Sequence, residues 1–97
     1  MIRTVLVAGR SGLHLRAAAR IADAAAALPT PVTVRTLQRP PVPADSMLAL
    51  VSLGALCGTE LILEADGQGA AQALADLADL FATDGDEPGA MGGAAGG

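Results

Sequence analysis

Lysine, tryptophan and tyrosine are missing from this 97-residue chain, and cysteine, histidine and phenylalanine occur once each. A lone Cys57 makes no internal disulfide, and with no second Cys or His nearby it forms no metal site. It reads as a reduced structural thiol within an apolar run. All six basic residues are Arg, and ten acidic residues leave a net charge of −4. That balance lacks the clustered Lys and Arg of a nucleic-acid partner. No apolar run approaches the roughly 20 residues that span a bilayer, and residues 1–3 lead directly into a strand-like segment instead of the apolar region of a signal peptide. A soluble, cytoplasmic protein without membrane insertion is expected.

With Phe81 as the one aromatic residue, the core has to be filled by Leu, Ile, Val and Ala. The hydrophobic content of 52% and mean hydropathy of +0.47 suit one small domain of ordinary or low stability.

Residues 3–7 are β-branched and aliphatic and read as a first strand, closed by Gly9. Residues 15–28 are helical in composition, with Ala17, Ile21, Ala24 and Leu28 as the apolar face and Pro29 as the stop. Pro31 opens a second strand in which Val32 and Val34 alternate with Thr33 and Arg35. Pro40, Pro41 and Pro43 limit the next strand to a short edge piece. Ser46 is an N-cap for a two-turn helix over residues 47–53, ended by Gly54. Acid and aliphatic residues alternate over 60–64 as a last strand, and Asp66-Gly67 turns into a helix with the stripe Ala70, Leu74, Leu77 and Phe81, away from Gln72, Asp76 and Asp79. The order β-α-β-β-α-β-α with short connections predicts an α+β fold, an antiparallel sheet of three to four strands with three helices on one face. Residues 84–97 have little to bury and read as a disordered Gly/Ala/acidic tail beyond a single domain, 1–83.

Ser11-Gly12-Leu13-His14-Leu15-Arg16 places the single histidine between a turn signal and an Ala-rich helix. A helix start offers N–H groups without intrahelical partners and a dipole that favours an anion. A phosphoryl group on the imidazole would therefore land among ready donors, without a metal or cofactor. Arg16 and Arg20 lie one helical turn apart, a repulsive spacing that an anion would relieve, and Arg engages two phosphate oxygens at once. Local chemistry leaves two alternatives open: a phosphate-handling histidine, or a capping histidine beside solvated arginines, Arg20 next to Asp23. No cluster with metal-ligand spacing, nucleotide-binding glycine loop or Ser/His/Asp set is evident, so a carrier fits better than an enzyme.

Gly12-Leu13-His14-Leu15-Arg16-Ala17-Ala18 resembles the signature Gly-[Leu/Ile]-His-x-Arg-Pro-Ala of HPr, the histidine-containing phosphocarrier of the bacterial sugar phosphotransferase system. Residues 41–54 are similar to that family's segment around its regulatory serine, and residues 60–81 to its last strand and helix; the similarity covers residues 2–83. The resemblance implies an open-faced β-sandwich in which His14 Nδ1 takes a phosphoryl group from phosphorylated enzyme I and passes it to a sugar-specific enzyme IIA. It implies that Arg16 steadies the phosphate, with Ser11, Gly12 and Ala17 supporting the site. Leu15, Arg20, Met47, Leu48 and Val51 match the partner-docking surface. Ser46 matches the serine phosphorylated by a kinase in some bacteria, although a plain N-cap explains it too. A monomer is expected. Alternatives are a regulatory module that docks partners outside sugar transport, or the carrier of a nitrogen- or dihydroxyacetone-related branch. Two residues depart from the family pattern: Ala17 replaces the usual Pro, and Asp23 stands where many members carry Lys.

Overall fold

In the computed structural model, which describes residues 1–8 and 12–83, the chain runs β1 (Ile2–Leu6), α1 (Leu15–Ala26), β2 (Thr33–Arg35), β3 (Val42–Pro43), α2 (Met47–Ser52), β4 (Glu60–Glu64) and α3 (Ala70–Thr83). The sheet order is β1-β4-β2-β3, with every pair antiparallel. This is the expected α+β architecture. The expected tail, 84–97, and Ser11 lie outside the described residues.

β4 occupies the middle of the sheet because it has no solvated edge to offer. Leu61 and Leu63 point into the helical layer with Val34, and all three are fully buried. Ile62 points to the opposite face but is only 9% exposed, flanked in register by Thr4 of β1 and Arg35 of β2. The alternation expected over 60–64 is thus replaced by three consecutive buried residues, as a central strand permits. On that open face Ile2, Thr4, Leu6, Glu60 and Glu64 are exposed.

The helical layer is packed with small side chains. In α1 the buried residues are Ala17, Ala18, Ile21, Ala22 and Ala25, and the expected members Ala24 and Leu28 sit half-buried at the margin. An Ala-rich helix gives the sequence little to fix its phase, so the stripe is rotated from the expected one. The helix also ends at Ala26, two residues early: the Ala27 and Leu28 amides donate to the carbonyls of Ala24 and Ala25, tightening the last turn ahead of Pro29. In α3 the stripe Ala70, Leu74, Leu77 and Phe81 is buried as expected, and Gln72, Asp76 and Asp79 are exposed.

β3 is the short edge piece that the prolines permit, paired to β2 through Thr33↔Pro43 and Val34↔Val42. The Ala44 amide extends the pairing to the Val32 carbonyl at 2.9 Å. α2 follows, and Arg39 Nη1 donates to the carbonyl of its last residue, Ser52, at 3.1 Å, a favourable place for a cation. Gly54, φ +64°, then takes the left-handed conformation that releases the chain from the helix. The run Ala55-Leu56-Cys57 becomes the connection to β4, in which Ala55 alone turns inward. Cys57 is therefore exposed and not a buried structural thiol; the turn that carries it is held by the Gly58 amide on the Val7 carbonyl, 2.8 Å.

Ser46 caps α2 with extended backbone, φ −113° and ψ 110°, and its Oγ accepts from the Ala49 amide at 3.2 Å. Ser46→Ala should lower stability by about 1 kcal/mol, while Ser46→Asp keeps the cap and stays near wild type. Urea midpoints of the two variants check this, and equal losses would show that the cap contributes nothing.

Candidate functional site

The site is built where the loop before α1 crosses the connection between α2 and β4. Gly12 is buried with φ +76°, and a Cβ there would stand 2.5 Å from the Ala55 carbonyl oxygen. Only glycine permits that approach. The next residue completes the crossing: the Leu13 amide donates to the same Ala55 oxygen at 2.9 Å, and its side chain is buried. The loop thereby enters α1 at a fixed angle.

His14 follows as the N-cap of α1, half-buried, with extended backbone, φ −88° and ψ 175°. Its carbonyl accepts the first intrahelical bond, from the Ala18 amide at 2.9 Å, and its Nδ1 accepts from the Ala17 amide at 3.3 Å. Imidazole is an uncommon cap, and here it does for α1 what a hydroxyl does for α2. The two alternatives left open by local chemistry thus share one geometry: the capping atom is also the atom that would carry phosphate.

Of the first-turn amides, those of Leu15 and Arg16 have no protein acceptor among the described residues. The Arg16 side chain is exposed and forms no hydrogen bond or ion pair there. Arg20 is exposed one turn further along the same helix, and Asp23 is exposed beyond it. Ala17 is 1% exposed; its methyl group belongs to the core and its amide to the site. No group of three or more His, Cys, Asp or Glu among the described residues is arranged to hold a metal ion.

The expected docking residues divide by depth. Leu15 and Leu48 are 56% and 72% exposed on α1 and α2, which pack together. Met47 and Val51 are half-buried against the core, while Leu50 and Leu53 are buried. Sequence reasoning missed Leu56, 70% exposed, whose Cα lies 3.0 Å from where a Gly12 Cβ would be. Its signal was available: an aliphatic residue between Gly54 and Gly58 lies in a loop, where nothing requires it to be buried. Leu56 adds an apolar side chain to the loop that backs His14.

Comparison with known proteins identifies the family. Residues 1–83 match the family model described as the PTS HPr component phosphorylation site. The chain is 45% identical over 80 residues to the phosphocarrier protein HPr of Streptomyces coelicolor, covering 82% of this chain and 86% of that one. It is 35% identical over 82 residues to the HPr of Treponema pallidum, covering 84% and 91%. The crystal structure of an HPr from Bacillus anthracis superimposes with a TM-score of 0.77 at 25% identity, over 84% of this chain and 95% of that one. A chain this similar over residues 1–83, with a helix-capping histidine and a four-stranded open sheet, belongs to the HPr family of phosphocarrier proteins of the bacterial phosphotransferase system.

Proposed function

We propose that His14 Nδ1 accepts a phosphoryl group from phosphorylated enzyme I and delivers it to a sugar-specific enzyme IIA. The observation that carries this reading is the placement of Nδ1 at the start of α1, where the amides of Leu15 and Arg16 have no protein acceptor among the described residues. As the Nδ1–P bond forms, the donor's bond to phosphorus breaks and its electron pair stays with the donor atom. The charge of the moving phosphoryl group is then met by fixed amides, by the helix dipole and by the Arg16 guanidinium. Nothing in this set traps the phosphate, which suits a carrier that has to release it.

Leu15 and Leu48, with Met47 and Val51 half-buried on α2 and Arg20 further along α1, form the docking face in this reading, and exposed aliphatics around a reacting atom suit transient contacts with two partners in turn. Ser46 enters as a helix cap; a serine kinase is not needed to account for it. The working unit is residues 1–83, acting as a cytoplasmic monomer.

The test is incubation of the full chain with phosphoenolpyruvate and its cognate enzyme I. An acid-labile, base-stable phosphate is expected, followed by its passage to an enzyme IIA. Equal labelling of the His14→Ala variant would overturn the site, and no transfer from the cognate enzyme I would overturn the carrier role.

A further inference from the structure

Residue 17 is alanine where the family signature carries proline, and what alanine brings to the site is a hydrogen-bond donor. Alanine has an amide N–H and proline has none. In this chain that N–H donates to His14 Nδ1 at 3.3 Å, the nitrogen assigned above as the phosphoryl acceptor. We infer that the Ala17 amide is a positioning group for phosphoryl transfer: it holds the Nδ1 lone pair at the helix start before reaction and, without moving, donates to a phosphoryl oxygen afterwards. The inference rests on His14 being the acceptor.

An imidazole nitrogen that accepts from an amide has a lone pair and no proton, so the ring hydrogen sits on Nε2. This is the tautomer in which Nδ1 is the nucleophile. When the Nδ1–P bond forms and the donor's bond to phosphorus breaks, with the electron pair left on the donor atom, Nε2 keeps its hydrogen and no proton has to move. Nδ1 then has no lone pair to offer, and the nearest acceptor for the Ala17 N–H is an oxygen of the new phosphoryl group.

The exchange has a direction. Before transfer the amide meets a neutral nitrogen, and after transfer an anionic oxygen, and charge-assisted hydrogen bonds are roughly twice as strong as neutral ones. The Ala17 amide therefore favours the phosphorylated state. It is also rigid: residue 17 is the third of α1, its side chain is 1% exposed, and its amide orientation is fixed by the helix. Proline at this place takes no intrahelical hydrogen bond from the helix, because first-turn amides have none to lose. Among the hydrogen bonds of the site it would remove only the contact to Nδ1.

The experiment uses the 15N-labelled full chain, with Ala17→Pro to remove the donor and Ala17→Gly to keep it. In the unphosphorylated chains the His14 Nδ1 resonance should move in the proline variant alone; the same resonance in all three overturns the inference without any phosphoryl donor. Phosphoramidate, a small-molecule donor, then loads the histidine with no partner protein present. The Ala17 amide proton of the wild type should shift downfield on loading, and an unmoved resonance overturns the inference even if the proline variant folds poorly. The equilibrium ratio of phosphorylated to free chain against one common donor should be about 3–10-fold lower in Ala17→Pro than in Ala17→Gly, which keeps the donor; equal ratios in the two variants count against it. Loading of His14 by phosphoramidate but not by enzyme I would defeat the carrier role and leave the hydrogen-bond exchange standing.

Discussion

The His14→Asn chain is expected to fold as well as the wild type and to carry no acid-labile phosphate after incubation with phosphoenolpyruvate and enzyme I. Two functions meet at one side chain, and asparagine separates them. As an N-cap, Asn ranks with Ser and Asp, so its carbonyl oxygen replaces Nδ1 as acceptor for the Ala17 amide. As a nucleophile it offers nothing, and no second histidine exists to take over. His14→Ala removes both roles and should lose about 1 kcal/mol of stability as well as the label, equivalent to roughly 4–8 °C in Tm for a domain of this size. Thermal melts and phosphate labelling on the same three chains check the separation. Label retained by the asparagine variant would place the acceptor elsewhere, and a loss of stability in that variant as large as in the alanine one would show that the cap is not what His14 supplies to the fold.

Gly12→Ala is expected to be the most damaging single methyl group in the described part of the chain. At φ +76° any Cβ is strained, by roughly 1–2 kcal/mol. Here it would also stand 2.5 Å from a backbone oxygen and 3.0 Å from the Leu56 Cα, so backbone has to move instead of a flexible side chain. That movement disturbs the Leu13 amide bond to Ala55, which shares the same oxygen, at a further cost of about 1 kcal/mol. A total of about 2–3 kcal/mol is a large part of the 5–15 kcal/mol that holds a domain of this kind together. Gly54→Ala is the control: φ is +64°, but nothing lies within 4 Å of the added methyl group, so only the conformational strain applies. Urea denaturation should find Gly12→Ala well below Gly54→Ala. Equal midpoints would mean that the loop crossing is not tight, and the entry angle of α1 would then need another explanation.

Some of this was legible in the sequence for identifiable reasons. β1, β2 and α3 were marked by β-branched runs and a clear apolar stripe, and Gly54 and the prolines around β3 carry backbone restrictions that act whatever surrounds them. α1 was legible as a helix but not in its phase, because alanine suits either side of a helix and Ile21 is the one bulky residue among those it buries. β4 was legible as a strand but not as a central one, since Ile62 is covered only by the neighbours that tertiary pairing supplies. Cys57 follows the same logic in reverse. It lies in an apolar run, and a connection held at its backbone by Val7 turned it out.

By itself the sequence determined the element order, the cap at Ser46, the place of His14 at a helix start, and a signature specific enough to indicate the family, because each depends on chemistry within a few residues of chain. Only the tertiary structure decided that Gly12 lies against the Ala55 carbonyl, that Leu56 stands beside the site, and that the Ala17 amide engages Nδ1. The first two join residues more than forty positions apart, and no local pattern encodes such a distance. The third is local, yet it needed the imidazole's orientation, which the angle at which the chain enters α1 sets. Alanine at position 17 thus reads in the sequence as a lost proline, and in the structure as a gained hydrogen-bond donor.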